Sequence, residues 1–322
     1  MSEMIALENL SKRFGDFLAV DAINLSVARG EVLGFLGPNG AGKSTTMKMV
    51  AGFLPPTGGR ANVCGYDVVQ DSVAVKKRIG YLPEGAPAYG DMSPRGFLNF
   101  IAEIRDFDGR ERENRVREVA EKVILDEVLD QPIDTLSKGF KRRVGLAQAM
   151  LHDPEVLILD EPTDGLDPNQ KHHVRALIQD MAKDKAIVIS THILEEVEAV
   201  CSRAVIIARG KLLVDGSAEE LIARAPNHNT VVISVASDAV SDAAAAAESL
   251  TSVRKVEVID ATEGTSKLRV FARDGATNLV PLGEAMKAAN INIMQIYVER
   301  GTLDDVFRNI TTFSMPGEMA HA

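Results

Sequence analysis

The chain has 322 residues, 45% of them hydrophobic and 25% charged, with a formal net charge of −10 at neutral pH. That length supplies about two domains with buried cores, and the composition excludes a disordered or fibrous chain. The acidic balance excludes a nucleic-acid sheath, which draws on clustered Lys and Arg, and the isolated Cys64 and Cys201 form no metal or redox spacing and read as reduced thiols.

Residues 5–10, 17–20 and 24–27 read as short strands separated by turns. The apolar run Val32-Leu33-Gly34-Phe35-Leu36 then leads into Gly37-Pro38-Asn39-Gly40-Ala41-Gly42-Lys43-Ser44, which fits G-x-x-x-x-G-K-S/T at every position. Beyond Thr45, residues Met47, Val50, Ala51 and Leu54 fall at helical spacing. Strand, glycine loop and helix together make an anion cradle. Glycines let the backbone curl so that N–H groups point inward, and the helix N-terminus adds its positive end. In such a loop Lys43 supplies charge to the β- and γ-phosphates of a nucleoside triphosphate, and the Ser44 hydroxyl ligates Mg²⁺.

Residues 62–66 and 77–82 add strand-like runs. Ser93 caps a helix with Pro94 in its first turn, and Phe97, Phe100, Ile101 and Ile104 fall on one face. A second helix over about 111–128 places Val116, Val119, Val123 and Ile124 inward and its many charges on a solvated face. Leu136-Ser137-Lys138-Gly139-Phe140 precedes a helix with Val144, Ala147, Met150 and Leu151 apolar. Ser137 is placed as an ordinary helix cap, and with Gly139 it also offers a hydroxyl and backbone N–H groups to an anion.

From Val156 onward strands alternate with helices. Val156-Leu157-Ile158-Leu159 has the pattern of a strand buried in a parallel sheet, ended by Asp160 and Glu161. Such a pair is either a solubilising strand cap or a metal ligand beside a general base, and the phosphate loop favours the second. Asp167-Pro168 caps a helix carrying Val174, Leu177, Ile178 and Met181. Residues 186–190 form the next buried strand, followed by His192, which is placed to reach a phosphate oxygen or to serve structure alone. A helix over 193–200 and a hairpin of 204–208 and 211–214 around Arg209-Gly210 follow. Ala225-Pro226-Asn227-His228-Asn229 has the composition of a linker. Beyond it, strands at 230–236, 253–259, 267–272 and 291–298 and helices at 238–250 and 279–289 give the order βαββαβ. A short helix at 303–310 and a loose tail close the chain. No secretory leader opens it, and no run of about 20 apolar residues suits a membrane span, so a cytosolic protein is expected.

Taken together, these residues resemble the ATP-binding cassette (ABC) ATPases over residues 4–221. The resemblance rests on the order and spacing of five elements: the phosphate loop, Leu136-Ser137-Lys138-Gly139-Phe140, Ile158-Leu159-Asp160-Glu161-Pro162, Gly165-Leu166-Asp167 and Ser190-Thr191-His192. It implies an α/β P-loop NTPase fold with antiparallel β and helical subdomains. The cassette would occupy 1–224 with its helical part at about 84–152, joined by a linker at 225–229 to a ferredoxin-like α+β domain at 230–312, with a flexible tail at 313–322. By the same resemblance Glu161 is the catalytic base, His192 holds the γ-phosphate, Phe14 stacks on adenine and Asp167 belongs to a loop communicating across a dimer. Residues 37–45 and Mg²⁺, held by Ser44, Asp160 and Glu84, grip ATP. Two chains pair head to tail, so that Ser137 and Gly139 of one close over ATP on the other.

Two departures stand out. Lys138 and Phe140 replace a glycine and the glutamine of the family's usual Leu-Ser-Gly-Gly-Gln, while Ser137 and Gly139 keep the phosphate-facing pair. Glu84 replaces the glutamine usual after Tyr-Leu-Pro; it still ligates Mg²⁺ but adds negative charge beside the γ-phosphate. Both departures, and Gly301-Thr302-Leu303-Asp304-Asp305-Val306-Phe307, are similar to the bacterial type-2 exporter branch, including gliding-motility and multidrug-type members. That branch implies a homodimeric ATPase subunit on the inner face of the cell membrane. It would power a separate permease touched by residues 84–100, with no nucleic-acid partner. The alternative is a cassette ATPase acting as a mechanochemical regulator outside transport; a single cassette without coiled coil or basic stripe weighs against it.

Overall fold

Continuous apolar runs decide the centre of the fold. In the computed structural model, which describes residues 3–313 apart from 87, 263, 274, 276 and 278, five such runs lie side by side in parallel. Their order is Arg203–Ala208, Val32–Leu36, Ala186–Thr191, Val156–Asp160 and Ile79–Leu82, and Lys211–Gly216 adds an antiparallel edge. Every residue of Val32–Leu36, Val156–Asp160 and Ala186–Thr191 is buried, as expected when both faces of a parallel sheet are covered.

A second, antiparallel sheet of Phe17–Ala28, Glu3–Phe14, Gly58–Val63 and Tyr66–Asp67 covers one face. Its Ile5, Leu10 and Ile23 share a core with Leu33 and Phe35 and with Met47 and Val50 of the helix Lys43–Val50. The other face carries the helices Pro94–Ile104, Gly109–Lys122 and Lys138–Met150, whose Phe97, Val119 and Val144 pack with Leu82, Leu157 and Leu159. Ser93 Oγ accepts from Gly96 N at 3.1 Å, the expected cap.

The chain divides into two compact units between Ala218 and Glu219. In the second, Val253–Thr262, Thr265–Ala272, Thr230–Ala236 and Gln295–Glu299 form one antiparallel sheet in that order. The helices Val240–Glu248 and Leu279–Ala288 pack Ala243, Ala247, Leu282 and Met286 on Val231, Ile233 and Leu268. No helix among the described residues is long and apolar enough to cross a membrane.

Several local expectations change. The three short strands near the start are one long hairpin, because register shifts around Leu7, Leu10 and Lys12 break the period-two alternation that marks a continuous strand. Residues 77 and 78 close a helix, Ser72–Arg78, and the strand begins at Ile79. The helix expected to run to 128 stops at Lys122; Ile124 adopts φ 54° and is half exposed rather than inward. The last strand begins at Gln295, not 291. Residues 225–229, a linker by composition, lie inside the second unit. Asn227 is buried there, and its Nδ2 donates to Glu299 Oε1 (3.0 Å) and Asp305 Oδ2 (3.2 Å). Asn and Pro build turns at this point, with His228 N donating to Ala225 O and Thr230 N to Asn227 O. The final helix runs Leu303–Phe313, and residues 314–322 of the expected tail lie outside the described residues.

The helix Lys138–Met150 approaches the strand Ile79–Leu82 so closely that a Cβ on Gly80 would lie 2.0 Å from Ala149 O. Backbone cannot step aside as a flexible side chain can. Gly80→Ala is therefore expected to cost about 2 kcal/mol, read as a lower urea midpoint with an unchanged m-value.

Candidate functional site

Parallel pairing puts the strand ends at one edge. Leu36 is level with Thr191, Ser190 with Asp160, and Leu159 with Leu82. The residues that follow therefore emerge together: the glycine loop after Leu36, Glu161 after Asp160, His192 after Thr191 and Glu84 two places past Leu82. This is the carboxyl edge of the sheet, where open α/β folds bind ligands.

The loop is shaped for an anion. Gly42 sits at φ 108°, and a Cβ there would lie 2.6 Å from Ala19 O, so both conformation and space demand glycine. The helix that starts at Lys43 has no side-chain cap, which leaves its first N–H groups for a ligand. Lys43 is buried, and its Nζ donates to Gly37 O (2.6 Å) and Pro38 O (3.1 Å). Burial lowers the lysine's pKa, while Glu161, Asp160 and Glu84 oppose that shift, so all three acids act on its charge.

Asp160 is buried at 2% exposure, its Oδ1 accepting from Ser190 Oγ. Its Oδ2 is also buried and, among the described residues, has no hydrogen-bond partner. A buried carboxylate oxygen without a donor is costly unless a cation meets it, and hard divalent cations take carboxylate oxygens. The donor set thus fits Mg²⁺. Glu161 adopts φ 53°, a strained left-handed conformation for a side chain of its size. Its N–H donates to Ser190 O at 3.0 Å, and its Oε1 lies 2.8 Å from His192 Nδ1.

The other expected site residues gather elsewhere. Ser137 caps the helix Lys138–Met150, its Oγ accepting from Phe140 N at 3.3 Å. Its neighbours belong to the loop after Glu161: Lys138 Nζ is 2.7 Å from Asp164 Oδ2, and a Cβ on Gly139 would lie 3.0 Å from Gly165 O. Among the described residues no hydrogen bond or ion pair joins Ser137 or Gly139 to residues 37–45. Asp167 caps the helix Pro168–Ala182, accepting from Gln170 N at 2.9 Å. Phe14 is 47% exposed, with Lys12 Nζ 5.2 Å from its ring centre.

Arg142 was not singled out by the sequence. Buried in the helix Lys138–Met150, it donates from Nη1 to Pro83 O at 3.0 Å and lies 3.9 Å from Asp164 Oδ2. It thereby ties the helical layer to the strand end that carries Glu84. The only signal was an arginine pair, 142 and 143, directly before the apolar positions of a helix.

A groove of about 910 Å³ opens beside the strand Ile79–Leu82, walled by Phe53, Tyr89 and Ile101 and flanked by Lys76, Lys77 and Arg105. The Tyr81 hydroxyl and His152 Nδ1, both from residues lining this groove, are buried with no partner among the described residues. His152 Nε2 bonds to Ile79 O at 3.0 Å.

A glycine cradle, a buried lysine and a metal-ready aspartate at the carboxyl edge of a parallel sheet define a P-loop nucleotide-binding protein. Comparison with known proteins narrows this class. The ABC transporter family model matches residues 20–164. The chain is 32% identical over 309 residues to the linearmycin resistance ATP-binding protein LnrL of Bacillus subtilis (strain 168), covering 96% of this chain and 98% of that protein. It is 36% identical over 228 residues to the probable multidrug ABC transporter ATP-binding protein YbhF of Escherichia coli (strain K12), covering 70% of this chain but only 39% of YbhF's length. A solved ATP-binding subunit of an ABC transporter superposes with a TM-score of 0.64 at 28% identity, over 68% of this chain and 91% of that one. This chain belongs to the ABC transporter ATP-binding family, as its motifs implied.

Burial, with Arg105 adding to it, lowers the His152 pKa from 6.5 to about 4. The folded protein then binds fewer protons than the unfolded chain between those values. This contribution to stability is full above pH 6.5 and declines as pH falls toward 4, by about 2 kcal/mol between pH 7 and pH 5. Urea midpoints at the two pH values should differ less in His152→Gln than in the wild type.

Proposed function

We propose that this chain is the ATP-hydrolysing subunit of a bacterial ABC exporter, paired with a second copy beneath a separate membrane permease. The observation that carries the hydrolytic reading is Glu161: held in a strained backbone conformation, hydrogen-bonded to His192, and acting on the charge of Lys43. Residues 37–45 wrap the phosphates through backbone N–H groups, with Pro38 contributing shape alone, and Phe14 offers its exposed ring to adenine. Lys43 exchanges the carbonyls of Gly37 and Pro38 for the β- and γ-phosphates. Ser44, Asp160 through its free Oδ2, and Glu84 would hold Mg²⁺, which when bound offsets phosphate charge. Glu161 takes a proton from the attacking water, and His192, beside Glu161, donates a ring N–H to the γ-phosphate.

Gly139 lies against residues 165–170 of its own chain, and among the described residues no hydrogen bond or ion pair joins Ser137 or Gly139 to residues 37–45. A head-to-tail partner would bring the pair over ATP, with Asp167 in the loop between the two sites. Relatives named for linearmycin resistance and multidrug transport support an exporter rather than a regulator outside transport. A chain working with such a permease acts in the cytoplasm, at the inner face of the membrane.

The groove beside Ile79–Leu82 suits a short amphipathic permease helix. Its apolar walls bury one face, its lysines and Arg105 attract acids, and the Tyr81 hydroxyl and His152 Nδ1 have no partner among the described residues. Tyr89, in its wall, belongs to the 84–100 segment.

Two measurements test these assignments. Glu161→Gln is expected to bind ATP like the wild type yet release no phosphate; full release would remove Glu161 from the mechanism. In host membranes, reversing Lys76 and Lys77 to Glu is expected to strip the chain from the membrane fraction while the free ATPase rate stands. Undiminished association would contradict docking in the groove.

A further inference from the structure

Glu196 is a buried carboxylate, 4% exposed, that none of the proposed nucleotide chemistry uses. It lies in the first turn of the helix Leu194–Val200. Its Oε1 accepts from Thr163 Oγ1, and its Oε2 accepts from Thr191 Oγ1 at 3.2 Å. Both threonines are also buried, Thr163 at 3% and Thr191 at 0% exposure. Thr163 stands two residues after Glu161, and Thr191 immediately precedes His192. One carboxylate therefore joins the two segments that carry the Glu161–His192 pair. Lys171 Nζ and Arg175 Nη2, from the helix that Asp167 caps, each lie 3.9 Å from Oε1 and compensate its charge without a close hydrogen bond. Thr191 Oγ1 also accepts from Ile193 N at 3.0 Å, which orients the hydroxyl toward Glu196.

Burying a carboxylate is a poor way to gain stability, since desolvation offsets most of the Coulombic attraction. What this arrangement supplies is geometry. The imidazole of His192 is 63% exposed, so core packing does not fix the ring. The positions of the two backbones that carry Glu161 and His192 therefore depend on links behind them. Ser190 provides one, through Asp160 and the Glu161 amide, and Glu196 provides the second.

We propose that Glu196 is a positioning residue for hydrolysis: by bridging Thr163 and Thr191 it sets the alignment of Glu161 with His192. The inference rests on the reading of those two residues as the hydrolytic pair.

Phosphate release, equilibrium ATP binding and thermal melting of four variants test it. Glu196→Ala and Thr163→Val are expected to lower kcat on the order of ten- to a hundredfold, the scale of a small misplacement of reacting groups. Nucleotide affinity should stay at the wild-type value, because residues 37–45 are untouched. Glu196→Gln keeps the bridge, its amide oxygen accepting from Thr163 and its NH₂ donating to Thr191, and should recover most of the rate, as should Thr163→Ser. If Glu196→Ala fails to fold, Thr163→Val against Thr163→Ser decides. Wild-type kcat in the folded Ala or Val variant, a Gln variant as slow as Ala, or affinity falling in step with kcat would each overturn the proposal. Glu161→Gln in the same assay separates the two levels: full turnover there removes the hydrolytic pair itself, whereas its inactivity beside unaltered Glu196 variants removes only the bridge.

Discussion

Parallel register is the constraint on which the site depends. Val32–Leu36, Ala186–Thr191 and Val156–Asp160 pair so that Leu36 meets Thr191 and Ser190 meets Asp160. Side chains alternate between faces along a strand, so a slip of one residue would turn Asp160 away from Ser190 and carry Glu161 and His192 off the edge. Burial on both faces enforces the register, since each of these strands is inside from end to end. The cores that hold them, one shared with the antiparallel sheet and one with the helical layer, thus set distances between residues far apart in sequence.

Polar groups at the edge are held where ordinary stability would not put them. Lys43 is buried against loop carbonyls, Asp160 has one oxygen without a partner among the described residues, and Glu161 sits in a left-handed conformation. Each is unfavourable alone. Together they describe a site shaped for the nucleotide that the ABC transporter ATP-binding family binds and, in the proposed reading, for its metal. Arg142 and Glu196 then link this edge to its surroundings, one toward the strand end before Glu84 and the other behind His192.

Much of this was legible from residues whose role is local. The glycine loop, the acids closing Val156–Asp160, and the caps at Ser93, Ser137 and Asp167 each depend on neighbours within a few positions, and the structure has each capping bond. Illegible were features that long-range contacts decide. Bulges disguised a continuous hairpin as fragments, and Ile124 left its apolar stripe because the chain turns at that residue. Asn227 looked like linker because its partners, Glu299 and Asp305, come more than seventy residues later. Glu196 resembled any acid in a helix's first turn, since Thr163 lies 33 residues before it. Under the proposed head-to-tail pairing, Ser137 and Gly139 pose the same problem between chains, because their partner surface would lie outside the single chain's contacts.

The proposed completion of the site by a second copy is therefore the step furthest from any one chain, and sedimentation tests it most directly. The Glu161→Gln chain, with Mg²⁺ and ATP, should sediment as a dimer that retains nucleotide and should return to monomer with ADP. A chain that binds ATP yet stays monomeric at every concentration would contradict head-to-tail closure over the nucleotide.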